Sequence, residues 1–539
     1  MLGHVAFVLH AHLPWVRHPE HERPLEERWL HEALWECYLP LLDVLDRLAR
    51  DGVGAGLTIS VSPPLAAMLA DDLLRSRFSL HLAGLERLAA ALATGGGGSS
   101  LEPRARAVMP FYQRRLGEAH ATWDRIRGDV LGALLAHERA GSIELMTSTA
   151  THAYLPGLLA APASIRAQLR LGLRGFAALT SSAPPRGLWL PECAYDPRLG
   201  PDLAASGVRY TILDAHGIDL AQPRPPSGVL TPVLASSGVA FFARDPAAAR
   251  DVWSREVGYP GDPWYREFYR DVGFDLPERE LEGELGPNGT RLMTGLKPCR
   301  ITGPGSNKEP YDPDAALARA REHARDFVAK REEVARRVQG HVAAPVLVAP
   351  FDAELFGHWW FEGPAFLEHT LRALDASARA GGIASTTLGG YLERFPELPV
   401  AEPAPSSWGE GGFGQVWAGP EAARLWRHVH HVERTVRAAV ERRRYAGGLA
   451  GRALDQSIRE LLLLESSDWA FMMRRGEMTT YAEARVRAHA HRATRLAAIA
   501  VADGPSPDDA AFVEAVGDRD CFLEALQGEA IRDAFDPWG

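Results

Sequence analysis

The chain alternates short apolar runs with longer stretches of helical periodicity. Val5–Leu9, Leu57–Val61, Ser142–Met146, Gly187–Leu190, Val208–Leu213, Val239–Ala243 and Ala344–Pro350 are brief and mostly apolar, as expected of strands buried on both faces. A further strand is predicted at 383–387. Between these runs the apolar positions recur every three or four residues. Leu30, Leu34, Tyr38, Leu41, Leu45 and Leu48 mark a helix over 25–50, and similar spacing predicts helices near 163–178 and over the charged stretch 313–340. Strand alternating with helix implies a parallel sheet.

Polar side chains stand beside successive strands: His10 and His12, Glu144, Glu192, Asp214 and Asp352. Polar groups at the ends of many strands imply a closed barrel with its site at that face. The alternation breaks twice. Residues 65–140 carry no strand signal and read as a helical insertion, with a flexible loop at TGGGGSS (94–100). PVAEPAPSS (399–407) reads as a linker, followed by the glycine-rich Trp408–Gly414 and then helical spacing to the end. The expected layout is a barrel over 1–405, interrupted at about 65–140, and a helical domain over 406–539 whose first loops reach the barrel mouth.

Composition narrows this little. The 539 residues are 46% hydrophobic and 24% charged, with a net charge of −10. That excludes the electrostatic footprint of a nucleic-acid or anionic-membrane binder, and no apolar run approaches spanning length. Four cysteines form no CxxC, which argues against a disulfide scaffold or a cysteine zinc site. With no leader-like N-terminus, a reduced, cytoplasmic protein is expected. The 14 tryptophans matter more, because their faces suit sugar rings as well as cores. Trp253, Tyr259, Trp264, Tyr265, Phe268, Tyr269 and Phe274 crowd one stretch, either as a helix with an aromatic core face or as the wall of a carbohydrate cleft. The polar excursion at 279–312 is long enough to be functional.

Glu192 follows Pro191 at a strand end, and Asp352 follows Pro350-Phe351 at another. Glycosidic cleavage needs two such carboxylates, one at the anomeric carbon and one to protonate the leaving oxygen. Helix capping is the competing use. His10 and His12, two apart on an extended chain, point the same way. They could ligate zinc with an Asp, but no third ligand motif accompanies them, so sugar hydroxyls are the better fit. The same tripeptide, His489-Ala-His491, lies in a helical pattern where the two side chains diverge, and a surface helix is expected there.

These motifs resemble glycoside hydrolase family 57. HAHLPWV (10–16), ELMTSTATH (144–152), WLPECAYDP (189–197), APFDAELFGHWW (349–360) and the Trp408 and Ser467-Asp468-Trp469 region look like its five motif regions. GYPGD–WYREFYRD (258–271), KEPYDP (308–313) and FGHWWFEGP (356–364) are similar to its α-1,4-glucan branching members. The resemblance implies a (β/α)7 barrel with a helical insertion and a C-terminal helical domain. It implies a retaining mechanism without metal or cofactor, and α-1,4-glucan chains as donor and acceptor, carried out by a monomer or homodimer. Glu192 matches the nucleophile and Asp352 the general acid/base. His10, His12, Trp29, His152, Asp214, Trp264, Arg266, Trp360, Trp408, Trp417, Asp468 and Trp469 stand where substrate-binding residues fall. In one respect the chain departs from the pattern. The loop expected to carry a water-shielding tyrosine, Gly217–Ser236, has none, and losing an aromatic lid would favour hydrolysis over transfer. An α-amylase-type hydrolase and a 4-α-glucanotransferase of the same family therefore stay open. Less favoured are a metal-dependent hydrolase and a non-catalytic glucan-binding protein.

Overall fold

The structure, a computed structural model, describes residues 1–535 apart from 96–99, 282, 304, 306 and 477. The described residues form nine strands: β1 (Gly3–Ala11), β2 (Leu57–Val61), β3 (Ile143–Ser148), β4 (Leu188–Trp189), β5 (Tyr210–Leu213), β6 (Val233–Leu234), β7 (Ala240–Ala243), β8 (Val346–Asp352) and β9 (Ile383–Ser385). Every strand read from an apolar run is there. The flexible loop expected at 94–100 falls mainly on 96–99, outside the described residues.

Parallel ladders run β4-β3-β2-β1-β8, and β5 pairs in parallel with β7. Two single parallel bridges join these pieces, Gly187 to Tyr210 and Arg244 to Val348. Together they close a ring of seven strands, a (β/α)7 barrel. β9 does not add a stave. It pairs with Gly3–Val5 of β1, below the point where β2 takes over that edge at Phe7. β6 is a short antiparallel partner of β7.

The two faces of each strand divide the core. Ala6 and Val8 of β1, Met146, Trp189, Tyr210, Ile212, Ala240, Phe242, Val346 and Val348 pack together inside the ring. Val5, Phe7 and Leu9 belong to the larger core shared with the surrounding helices. Alternation then fixes where the polar residues go. His10, Asp214, Arg244 and Asp352 continue the inward-facing parity of their strands to the carboxyl ends.

Glu144 is a correction to the reading above. It shares the inward parity of Met146 but stands at the start of β3, not at its exit. There its carboxylate accepts from the Tyr210 hydroxyl, the Thr58 hydroxyl (3.1 Å) and the Gly389 N–H (3.0 Å), closing the floor of the barrel. A second correction concerns His489, which is fully buried rather than on a surface helix. It donates or accepts through Nδ1 with Glu460 at 2.7 Å. His491, two positions on, is exposed, so the divergence held while the burial did not: the 479–501 helix packs one face on the helix 448–464.

The stretch 65–140 forms helices at Asp72–Thr94, Met109–Arg125 and Val130–Arg139. Beyond residue 420, helices Ala423–Arg443, Gly448–Leu464, Ser467–Arg475, Thr479–Val501 and Pro507–Arg519 pack against one another. No helix among the described residues is long and apolar enough to cross a membrane.

Candidate active site

Glu192 owes its position to an unusual turn. Pro191 ends β4, and Glu192 and Cys193 both take positive φ (64° and 48°), a region costly for L-residues. The turn is held from both sides. Its own carbonyls accept from Cys193 and Ala194. The 406–408 segment pairs across it, with Tyr195 and Ser406 exchanging main-chain bonds and the Trp408 N–H donating to the Glu192 carbonyl at 2.9 Å. The side chain is as firmly held. Trp408 Nε1 donates to Oε2 at 2.8 Å and the Ser467 hydroxyl to Oε1 at 2.7 Å. Burial drives the Glu192 carboxyl up to about 7, and these two donors oppose the rise.

Asp352 ends β8 in register with His10 of β1. Among the described residues its carboxylate accepts no hydrogen bond. Burial, then Glu354, then Glu192 push its carboxyl well above the usual range, with Arg244 opposing. The two carboxylates thus sit in one cavity of about 930 Å³ in contrasting surroundings.

Three histidines back this cavity. His10 lies flat on Trp189 (centroids 4.4 Å apart, 10° between planes). Its Nδ1 meets Ser60 Oγ at 3.2 Å and its Nε2 meets His152 Nε2 at 2.9 Å. His152, itself at φ 57°, meets Ser467 Oγ through Nδ1 at 2.9 Å. Burial and the neighbouring imidazoles hold both His10 and His152 well below the ordinary histidine range, hence neutral. His12 differs. Burial lowers it, but Asp468 at 3.1 Å from Nε2 outweighs that and the imidazole is raised. Asp468 is held down to about 2, because His12 and Ser466 overcome the penalty of its burial. The back wall is therefore a neutral pair beside one ion pair.

His12, His152 and Asp468 offer ligand atoms within 4.8 Å of one another, as do Glu460, His489 and Asp520; among the described residues these are the groups able to hold an ion. In the first group His12 already pairs with Asp468 and Ser62, and His152 with His10 and Ser467, so a metal would have to displace existing bonds.

The expected binding residues divide. His10, His12, His152, Trp408, Trp417 and Asp468 line the cavity with the two carboxylates. Trp29 lines an adjoining hollow of about 400 Å³ that shares His12, Glu354, Trp359 and Asp468 with the first. Asp214 stands off the cavity and pairs at 3.4 Å with Arg244, which lines it. The other four line neither cavity. Trp360 and Trp469 are fully buried in the core. Arg266 is buried against Glu36 at 2.9 Å and Phe361. Trp264 is exposed under the Arg300 guanidinium, away from the cleft.

Other residues join the cleft, of which only Trp253 was singled out in the sequence, as a possible cleft wall. Trp253 ends the helix Pro246–Trp253, edge-on to Trp408 at 6.4 Å, and lines the cavity. It belongs to the crowded aromatic stretch, of which this helix and Val272–Asp275 are α-helical; Tyr259 and Tyr265 are core. Arg244 follows the apolar run of β7, the same polar-exit signal that singled out Asp214. Trp359 and Phe471, about half exposed, also reach the cleft, and no spacing marked them.

A closed parallel barrel with two half-buried carboxylates at its mouth, in an aromatic-walled cleft, is the apparatus of an enzyme acting on glycosidic bonds. Comparison with known proteins makes this specific. The glycosyl hydrolase family 57 profile matches residues 6–285, and the profile described as the C-terminal part of 1,4-alpha-glucan branching enzyme matches residues 428–528. The chain belongs to glycosyl hydrolase family 57. It is 35% identical to a 1,4-alpha-glucan branching enzyme of Thermococcus kodakarensis, over 92% of this chain and 74% of that protein. It is 33% identical to a probable 1,4-alpha-glucan branching enzyme of Mycobacterium tuberculosis, over 98% of each. Among solved structures, the alpha-amylase AmyC of Thermotoga maritima superposes with a TM-score of 0.89 at 36% identity, covering 99% of both chains. The T. kodakarensis branching enzyme gives 0.87 at 31% identity, covering 100% of this chain and 97% of that one.

Proposed function

We propose that this chain is a retaining α-glucan branching enzyme. Glu192 attacks the anomeric carbon of an α-1,4 linkage while Asp352 passes its proton to the departing O4. The glucan is then held as an ester on Glu192. Asp352, now a carboxylate, takes the proton from the C6 hydroxyl of an acceptor chain as that oxygen displaces Glu192 and forms an α-1,6 bond. The observation that carries this reading is the contrast between the two carboxylates. Glu192 is aimed and stabilised as an anion by Trp408 and Ser467, whereas Asp352 has no donor to stabilise its anion and keeps its proton. His10, His12, Trp29, His152, Trp408, Trp417 and Asp468 would bind the two chains. Four free cysteines suit a reduced, cytoplasmic setting.

A second reading is α-1,4-glucan hydrolysis. The tyrosine-free segment Gly217–Ser236 favours it, and the similarity to AmyC bears on it too. Incubation with amylose separates the two, with α-1,6 linkages read by NMR and reducing ends assayed in parallel. New branches without matching reducing ends are expected. Reducing ends without branches would make the protein an amylase.

A further inference from the structure

Glu354 is a further half-buried carboxylate at the mouth, and the reaction above makes no use of it. It lies on the turn Ala353–Leu355 immediately after Asp352. Its Oε1 accepts from the His12 main-chain N–H at 3.1 Å and from the Tyr38 hydroxyl. Its carbonyl accepts from the Trp359 N–H at 3.3 Å and faces Cys37 Sγ at 3.6 Å. Tyr38 and Cys37 belong to a π-helical turn, Leu34–Tyr38, a form that often marks functional sites. That turn is locked in place. Gly357, at φ 123°, packs so close to the Glu36 carbonyl that a Cβ would stand 1.9 Å from it. Glu36 also holds His358 Nδ1 at 2.6 Å and Arg266 at 2.9 Å. Glu354 thereby ties together the exit of β1, the π turn and the exit of β8. Its other oxygen, Oε2, has no partner among the described residues, and the side chain lines the cavity beside Asp352.

We propose that Glu354 is a positioning residue for Asp352: pinned by Tyr38 and the His12 main chain, its carboxylate sets a fixed negative charge beside the proton donor. This deepens, and rests on, the assignment of Asp352 as acid/base.

Two adjacent buried carboxyls cannot both ionise cheaply, and surroundings that differ decide which one holds the proton. Glu354 has two donors and faces His12; Asp352 has none. Burial raises both, and Tyr38 and His12 oppose the rise only for Glu354. The other groups that sense Asp352 are Glu192 from the β4 turn, Arg244 after β7, Tyr38 and Cys193. Only Arg244 among them is a cation.

The test compares Glu354→Gln and Tyr38→Phe with wild type in two assays: the pH profile of kcat/KM on amylose, and burst release from a nitrophenyl α-maltooligoside, whose leaving group needs no acid. Glu354→Gln is expected to move the alkaline limb down by about one pH unit and to lower amylose turnover above neutrality about tenfold. The nitrophenol burst should stay within about twofold. Tyr38→Phe should shift the limb the same way by less, and Glu354→Asp should restore part of the shift. An unmoved limb, or equal losses on both substrates, would show a purely structural role and overturn the proposal. Asp352→Asn serves as control. If it kept full amylose turnover, the acid/base assignment would fall instead.

Discussion

Glu192 and Asp352 occupy equivalent places, the carboxyl ends of two strands on one ring, yet the chain treats them in opposite ways. Glu192 sits in a strained turn, gripped through its backbone and both carboxylate oxygens. Asp352 continues an ordinary extended strand, and among the described residues its carboxylate has no donor. A nucleophile must be ionised and aimed; a proton donor must stay neutral and be free to pass its proton either way. The same half-buried setting would serve both needs, because hydrogen bonds are supplied at one carboxylate and, among the described residues, not at the other.

Removing the proposed nucleophile should break the comparison most severely. Glu192→Gln is expected to lower turnover on amylose by ~10³-fold or more, with the fold unchanged by circular dichroism. Asp352→Asn should cost ~10²–10⁴-fold on amylose but far less on a nitrophenyl maltooligoside. Equal losses on both substrates would reverse the two roles. A subtler change sharpens the contrast. Ser467→Ala removes a donor that holds Glu192 down, so its carboxyl should rise above about 7. The acid limb of kcat/KM then moves to higher pH, with a loss of about tenfold at neutrality. An acid limb unchanged in steady-state kinetics would mean that Ser467 serves His152 rather than Glu192.

The smallest effect concerns stability rather than rate. Glu465, buried under Gln168 and Ser164, is raised by burial to about 8. Its folded value exceeds its unfolded one, so the folded state binds the extra proton. Stability from this group is full below the unfolded value and falls as pH climbs toward about 8, by on the order of a few kcal/mol. Glu465→Gln should flatten that decline in urea titrations between pH 5 and 8 (roughly the window set by those two values). A slope identical to wild type would show that the carboxyl titrates normally.

Much of this was legible in the sequence because buried parallel strands announce themselves. Apolar runs such as Ala344–Pro350 have no other comfortable place, and a polar residue at the end of one has few uses. The two carboxylates and the His10-x-His12 pair followed from that logic. It failed where local pattern does not decide environment. Glu144 carries the right parity but stands at the wrong end of its strand, a matter of where the run begins. His489 looked like a surface residue because its helix is rich in Arg and Ala, yet tertiary packing buries one face. Trp360, Trp469 and Arg266 sit in motif-like stretches and support the cleft from behind, and nothing in their spacing separates a wall from its foundation. Ser467 reaches Glu192 across 275 residues, so no local signal marked that contact, whereas the aromatic crowding around Trp253 and the i, i+2 spacing of Glu354 from Asp352 were visible in the chain.

The ring is closed unevenly. Five of its strands share a continuous ladder, while β5 and β7 are attached on each side by a single bridge, at Gly187–Tyr210 and Arg244–Val348. Main-chain pairing is thinnest along these two seams. Amide hydrogen exchange should be fastest along those seams and slowest in β1 and β8, whose pairing runs from His4 to His10. Asp214, Arg244 and the 217–236 segment lie with β5 and β7, whereas His10, Glu192 and Asp352 lie with the five-stranded ladder. A long polymer has to enter and leave this cleft sideways. Opening along either seam would therefore shift Asp214 and Arg244 relative to His10 and Asp352.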